Sequence, residues 1–143
     1  MSVSIDGRTA DYVAEAGRGD LHWSLSNGAG QVQSGGGGRI DLNRAQDLAR
    51  VDTPGGTYVM ATDAETQDVI SFAVDSADGG LTEAGRLGAS TGLWFTDPTA
   101  LETVTAFGTS FAFVAGAGTH SISVAQVTAD GTLIATDHLI ENR

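Results

Sequence analysis

Asp63, Glu65 and Asp68 crowd one short stretch of the chain. Carboxylates at this spacing could turn their oxygens onto one hard cation, and calcium is the ion such a set would take. A solvated acidic turn in an acidic protein is the simpler reading, and it is favoured. Trp94 and Phe95, with Asp97 two residues on, form a second cluster. Aromatic faces beside a carboxylate suit contacts with carbohydrate or protein. The competing role is packing, in which the two rings fill a gap between structural units. The histidines are His22, His120 and His138. No two of them have metal-ligand spacing, and none neighbours a nucleophile in a motif such as Gly-x-Ser-x-Gly. His120 could serve as an acid or base, although a plain polar loop residue is the favoured role. His22 lies between Leu21 and Trp23, so on a strand it points away from both.

These residues must be held by β-structure. Ser110 to Ala115 reads SFAFVA, and Ile122 to Val127 reads ISVAQV, both with strand composition and alternation. Ala129–Asp130–Gly131–Thr132 supplies an Asp-Gly hairpin turn between the second run and Leu133. Thr57 to Thr62, Val69 to Val74 and Leu81 onward repeat the arrangement, as do Thr9 to Ala14, Leu21 to Leu25 and Gln31 to Gln33, the last pair about the Asn27–Gly28 turn. Leu42 to Val51 comes nearest to helical spacing, but its counterpart carries Pro98, which argues against a helix there. The expected fold class is all-β.

The runs recur as three copies. Leu48, Val51, Gly55, Tyr58, Met60 and Val69 fall on Leu101, Val104, Gly108, Phe111, Phe113 and Ile122 at an offset of 53. Val3, Gly7, Thr9 and Leu21 fall on Val51, Gly55, Thr57 and Val69 at an offset of 48. A period of this size marks repeated supersecondary units. One domain is expected, with repeats over about 1–50, 51–103 and 104–143. In an up-and-down meander the loops between second and third strands emerge beside the connections between copies. Residues 15–20, 63–68 and 116–121 therefore share a side with 34–46 and 87–99, and any binding site is expected at this loop-rich end. Gly35 to Gly38 reads there as a flexible connection. The third copy has no carboxylate where the second has Asp63, Glu65 and Asp68, which disfavours a repeated metal site.

Composition narrows the partners. The formal charge is −11 over 143 residues, and all seven basic residues are arginine. Such a surface repels nucleic acid and anionic membranes, both of which require basic neutralising groups. With no cysteine, neither disulfides nor thiolate metal sites are available. The opening residues lack the apolar core of a cleavable signal, and no run is long and apolar enough for a membrane helix. A soluble protein is expected, in a compartment that the residues do not name.

The stretch Asp97-Pro-Thr-Ala-Leu-Glu-Thr-Val, Ser110-Phe-Ala-Phe-Val-Ala-Gly and Ser121-Ile-Ser-Val-Ala-Gln-Val through Leu133 resembles a blade of the lactonase-type β-propellers. It is also similar to the blades that precede glycine-rich calcium repeats in large secreted bacterial proteins. Tyr58-Val-Met-Ala and Val69-Ile-Ser-Phe-Ala-Val through Leu81 repeat it, and the first copy does so more faintly. The resemblance implies three four-stranded propeller blades, where complete members have about seven. Its shared residues are those of strands and turns, so it carries fold and not activity. The calcium repeat Gly-Gly-x-Gly-x-Asp is absent, and no ion binding is implied.

Three blades are fewer than the four to eight with which propellers close. The chain begins and ends near equivalent points of the repeat, so the expected assembly is a homodimer, or another homo-oligomer, that closes a six-bladed ring. A monomeric β-trefoil, also built from three four-stranded repeats, is the alternative. Three functions compete. The favoured one is a non-enzymatic interaction or structural module that binds a protein or glycan through Trp94, Phe95, Asp97 and His120, with no cofactor beyond an optional calcium. A lactonase-like hydrolase would use Asp63, Asp68 and His120. A component of a larger secreted or virion-like assembly is the third.

Overall fold

A computed structural model describes residues 1–5, 7–15, 20–26, 32–40, 42, 45–88 and 96–140. Its described residues form twelve strands in chain order: β1 (Ser2–Ile5), β2 (Arg8–Glu15), β3 (Asp20–Ser26), β4 (Val32–Ile40), β5 (Ala45–Thr53), β6 (Gly56–Asp63), β7 (Asp68–Val74), β8 (Leu81–Gly88), β9 (Pro98–Ala106), β10 (Thr109–Gly116), β11 (Ser121–Val127) and β12 (Leu133–Ile140). They pair as three separate antiparallel meanders, β1 to β4, β5 to β8 and β9 to β12. Leu42 to Val51 is strand from Ala45 onward and not helix, as the proline in its counterpart argued. No helix among the described residues is long and apolar enough to cross a membrane.

Two details depart from the sequence reading. The sheets are separated by residues 41–44 and 89–97, so 51 and 104 fall inside β5 and β9. Alignment on shared apolar residues locates the middle of a first strand and not its start. Gly35 to Gly38 belongs to strand β4. Gly38 pairs with Trp23 across β3 and β4, and a Cβ at Gly38 would lie 2.6 Å from the indole ring. A side chain there would displace the tryptophan, so this glycine serves packing.

Alternation buries each sheet against its neighbour. Along β10, Ser110, Ala112, Val114 and Gly116 are buried while Phe111, Phe113 and Ala115 turn to the other face. Val51, Tyr58, Met60 and Val69 of the second sheet pack on Leu101, Ala112, Val114 and Ala125 of the third. The opposite face of the second sheet buries Val59, Ala61, Ile70 and Phe72 against Val3, Ala10, Tyr12 and Leu21 of the first. Trp23 packs against this second cluster, its ring centroid 6.2 Å from that of Tyr12 on the neighbouring strand.

Hydroxyls complete both seams. Tyr12 Oη donates to Gly79 O at 2.7 Å, tying the first sheet to the last turn of the second. Between the second and third sheets, Tyr58 Oη donates to Ala129 O at 3.1 Å and Ser71 Oγ to Gly131 O at 2.5 Å. On the same seam Thr103 Oγ1 donates to Arg50 O at 2.6 Å and Ser110 Oγ to Asp52 O at 3.1 Å. The bonds to Gly79 O and Gly131 O are buried, where an unsatisfied carbonyl would cost about 1–3 kcal/mol.

Burial, aided by the nearby Asp78 carboxylate, pushes the Tyr12 hydroxyl up from 10.0 to about 12. In the unfolded chain it ionises near 10. The folded form therefore binds the proton more tightly, and its advantage is full below pH 10.0 and falls away as pH rises towards 12. Urea midpoints should decline across that window by roughly 2 kcal/mol of stability. In Tyr12→Phe that part of the decline should vanish; an unchanged pH profile would refute the assignment.

Candidate functional site

The loop-rich end gathers around the seam between the second and third sheets. Gln67 ends the β6–β7 turn, and its side chain spans two loops. Its Nε2 donates to Ala64 O at 2.6 Å, and its Oε1 accepts from Asp97 N at 2.5 Å. Asp97 precedes β9, and its carbonyl accepts from Ala117 N at 3.0 Å, while Thr96 O accepts from Gly118 N at 3.1 Å. The β10–β11 turn that carries His120 is thus anchored to the residues leading into β9. Connections and turns from two sheets meet here, on the shared side that the meander requires.

Backbone strain concentrates at the same place. Among the described residues, four that are not glycine have positive φ: Gln67 (60°), Asp97 (51°), Phe107 (54°) and His120 (49°). Three of these four lie on this hydrogen-bonded cluster. A left-handed conformation disfavours residues with a Cβ, and such strain tends to be retained where it places a side chain for use. Both the Asp97 and His120 side chains are exposed.

Beside His120 the third sheet has a hollow of about 420 Å³, bordered by Thr99, Ala115, Ser121, Ile122 and Leu139. Its lining combines the apolar Ala115, Ile122 and Leu139 with the polar Thr99, His120 and Ser121. This arrangement suits a ligand with alternating C–H and O–H surfaces, in which apolar area provides contact and a few polar groups fix orientation.

The acidic cluster behaves otherwise. Asp63 is buried, and its Oδ1 accepts from Glu65 N at 2.9 Å and Thr66 N at 3.4 Å, closing the turn. Asp68 Oδ2 accepts from Arg86 Nη1 at 2.8 Å, and Arg86 Nη2 also donates to Glu83 Oε1 at 2.8 Å. Glu65 is exposed. Among the described residues, no three histidine or carboxylate side chains come together as a set that could hold a metal ion. Turn closure and ion pairing thus direct these carboxylates to separate partners and away from a common centre.

Asp97 and His120 are therefore brought to one end of one seam, while Trp94 and Phe95 lie outside the described residues. Gln67 was missed. Its only sequence signal is its place in the loop equivalent to 117–120, since a bridging glutamine looks like any polar turn residue. Asp47 is a second omission. Its Oδ2 accepts from Leu101 N at 2.9 Å and its Oδ1 from Leu48 N at 2.9 Å, so one carboxylate fastens β5 to β9.

Three self-contained four-stranded meanders, stacked face to face through apolar seams, define the architecture. The three sheets are β-propeller blades. Solved structures agree. A 6-phosphogluconolactonase-like protein from Bacteroides fragilis superposes with a TM-score of 0.68 at 18% identity, over 94% of this chain and 36% of that one. The periplasmic gluconolactonase PpgL of Pseudomonas aeruginosa matches with a TM-score of 0.68 at 17% identity, over 98% of this chain and 39% of that one. An exo-β-1,3-galactanase from Phanerochaete chrysosporium matches with a TM-score of 0.65 at 9% identity, over 97% of this chain and 34% of that one. The chain thus spans between a third and two-fifths of the length of these neighbours. At such identities the likeness concerns the fold alone. No family model and no curated protein sequence matches the chain.

Proposed function

We propose that this protein is a non-enzymatic propeller-type binding module that takes a neutral oligosaccharide at its loop-rich end and works as an oligomer of its own copies. The observation that carries the reading is the cluster of Gln67, Asp97 and His120, all in left-handed conformations, of which His120 lines the hollow of the third blade. In this reading the Asp97 carboxylate and the His120 ring engage sugar hydroxyls, and Ile122 and Leu139 provide apolar contact for C–H faces. A formal charge of −11 disfavours anionic glycans. Galactanases among the fold neighbours, one solved with β-1,3-galactotriose, lend the glycan reading support. Sheets without a shared ladder favour propeller blades over the strand-sharing barrel of a trefoil.

Calorimetric titration with neutral β-1,3-linked galacto-oligosaccharides tests this. Binding is expected, and Asp97→Ala and His120→Ala should each weaken it by about tenfold, the equivalent of roughly 1.4 kcal/mol. Their melting temperatures should stay unchanged, because both side chains are exposed. Absence of binding to any neutral glycan sinks the reading. The gluconolactonase neighbours keep a lactonase as the second reading. Steady lactone hydrolysis that disappears in Asp68→Ala and His120→Ala would establish it in place of the first.

A further inference from the structure

The two ends of the blade stack differ in the residues they leave exposed. On the third sheet, the face turned away from the second carries Val104, Phe111, Phe113, Ile122, Ile134 and Leu139. Val104, Ile122, Ile134 and Leu139 are between 45% and 65% exposed. Val104, Phe111, Phe113 and Ile122 stand 53 positions after Val51, Tyr58, Met60 and Val69, four of the residues that the second sheet buries against the third. The exposed face thus repeats one side of a seam already used within the chain.

The first sheet repeats the other side. Ser2, Thr9 and Val13 stand 101 positions before Thr103, Ser110 and Val114. In the internal seam Thr103 and Ser110 donate to Arg50 O and Asp52 O, while Val114 is buried in the apolar cluster. On the free face of the first sheet, Ser2 and Val13 are exposed, and Val13 is 51% accessible. The hydroxyls and the small apolar contact of a receiving face are therefore present and join no seam in the chain, although Ser2 Oγ donates to Asp11 Oδ1 within its own sheet. Asp11 and His22 replace Ala112 and Ser123, and Glu102 and Asp137 replace Ala49 and Ala84, so the resulting contact is more polar than the internal ones.

We infer that the outward face of the third sheet docks the first sheet of a second copy of this chain, head to tail. Used twice, this contact closes two chains into one ring. It rests on the oligomeric part of the function proposed above and adds the surface, the orientation and a consequence. The hollow beside His120 borders this face through Ile122 and Leu139, so the docked copy becomes its far wall. Size is adequate. Four strands of seven to nine residues, about 4.8 Å apart and rising about 3.3 Å per residue, span a face on the order of 500 Å². Two such faces in contact approach the roughly 1,000 Å² that a specific interface needs, and the ring contains the contact twice.

Sedimentation equilibrium at about 100 µM, a concentration at which even modest affinities are populated, should give twice the 14.6 kDa of one chain. Phe113→Asp and Val13→Arg should each reduce this mass to that of a monomer with folded circular dichroism. Ile122→Asp repeats the first test at a side chain that is 45% exposed, should Phe113→Asp fail to fold. Mixed in equal amounts, Phe113→Asp and Val13→Arg chains should recover a dimer, because each pair retains one intact seam. A monomeric wild type, or a dimer that survives Val13→Arg, overturns the inference; the latter result would mean that third sheets pair with each other. Loss of glycan binding in a protein that remains dimeric would count against the oligosaccharide site alone.

Discussion

Gly131→Ala should lose about 3 kcal/mol of stability in urea titration, while Gly108→Ala should lose only about 1 kcal/mol. Both glycines occupy left-handed turns, with φ of 84° and 77°. A methyl group costs each of them the same conformational penalty. Their surroundings differ. Nothing lies within 4 Å of a Cβ built on Gly108, whereas one on Gly131 would sit 2.3 Å from Tyr58 Cε1 and 2.8 Å from Ala84 Cβ. The added carbon would push the β11–β12 turn off the second blade. It would also strain the bonds from Tyr58 Oη to Ala129 O and from Ser71 Oγ to Gly131 O. Equal losses in the two variants would mean that the seam is loose enough to yield.

A second comparison sets equivalent positions against each other. Met60 and Phe113 stand 53 positions apart at the same point of the repeat. Met60 is fully buried between the second and third sheets. Truncating it leaves a cavity that packed neighbours fill only in part, so Met60→Ala should cost about 3 kcal/mol. Phe113 faces outward from the third sheet, and Phe113→Ala should cost less than about 1 kcal/mol in dilute protein. With the docked second copy, the Phe113→Ala penalty should grow as protein concentration rises, because association stabilises only the folded chain. The Met60→Ala penalty should not change with concentration. If Phe113→Ala were as costly as Met60→Ala in dilute protein, that face would already be covered within one chain.

The strands themselves were legible because their signal is local. Alternation along SFAFVA and ISVAQV, β-branched composition and turn residues such as Asp130–Gly131 act within a few residues. Asp130 shows how local the device is: bonds from the Thr128 hydroxyl and from Thr132 hold its carboxyl down at about 2 within a single hairpin. The glycine tract misled because runs of glycine usually signal loose chain. Its fit beneath Trp23 depends on a side chain from another strand.

The candidate site divides along the same line. Asp97 and His120 could be named from residue type and loop position. Gln67 could not, since its importance lies in one hydrogen bond to a residue 30 positions away. By spacing, Asp63 and Asp68 could either converge on a cation or form a plain acidic turn, the favoured reading. The chain directs one into its own turn and the other to Arg86.

The sequence by itself determined the twelve-strand, three-repeat pattern and the end of the meanders where loops collect, because period-two alternation and turn chemistry are read residue by residue. Only the tertiary structure decided which repeat residues are covered and which stay open. Val69 is buried and its counterpart Ile122 is exposed. Both are β-branched strand residues, and what separates them is the presence of a neighbouring sheet, which no local property of the chain encodes.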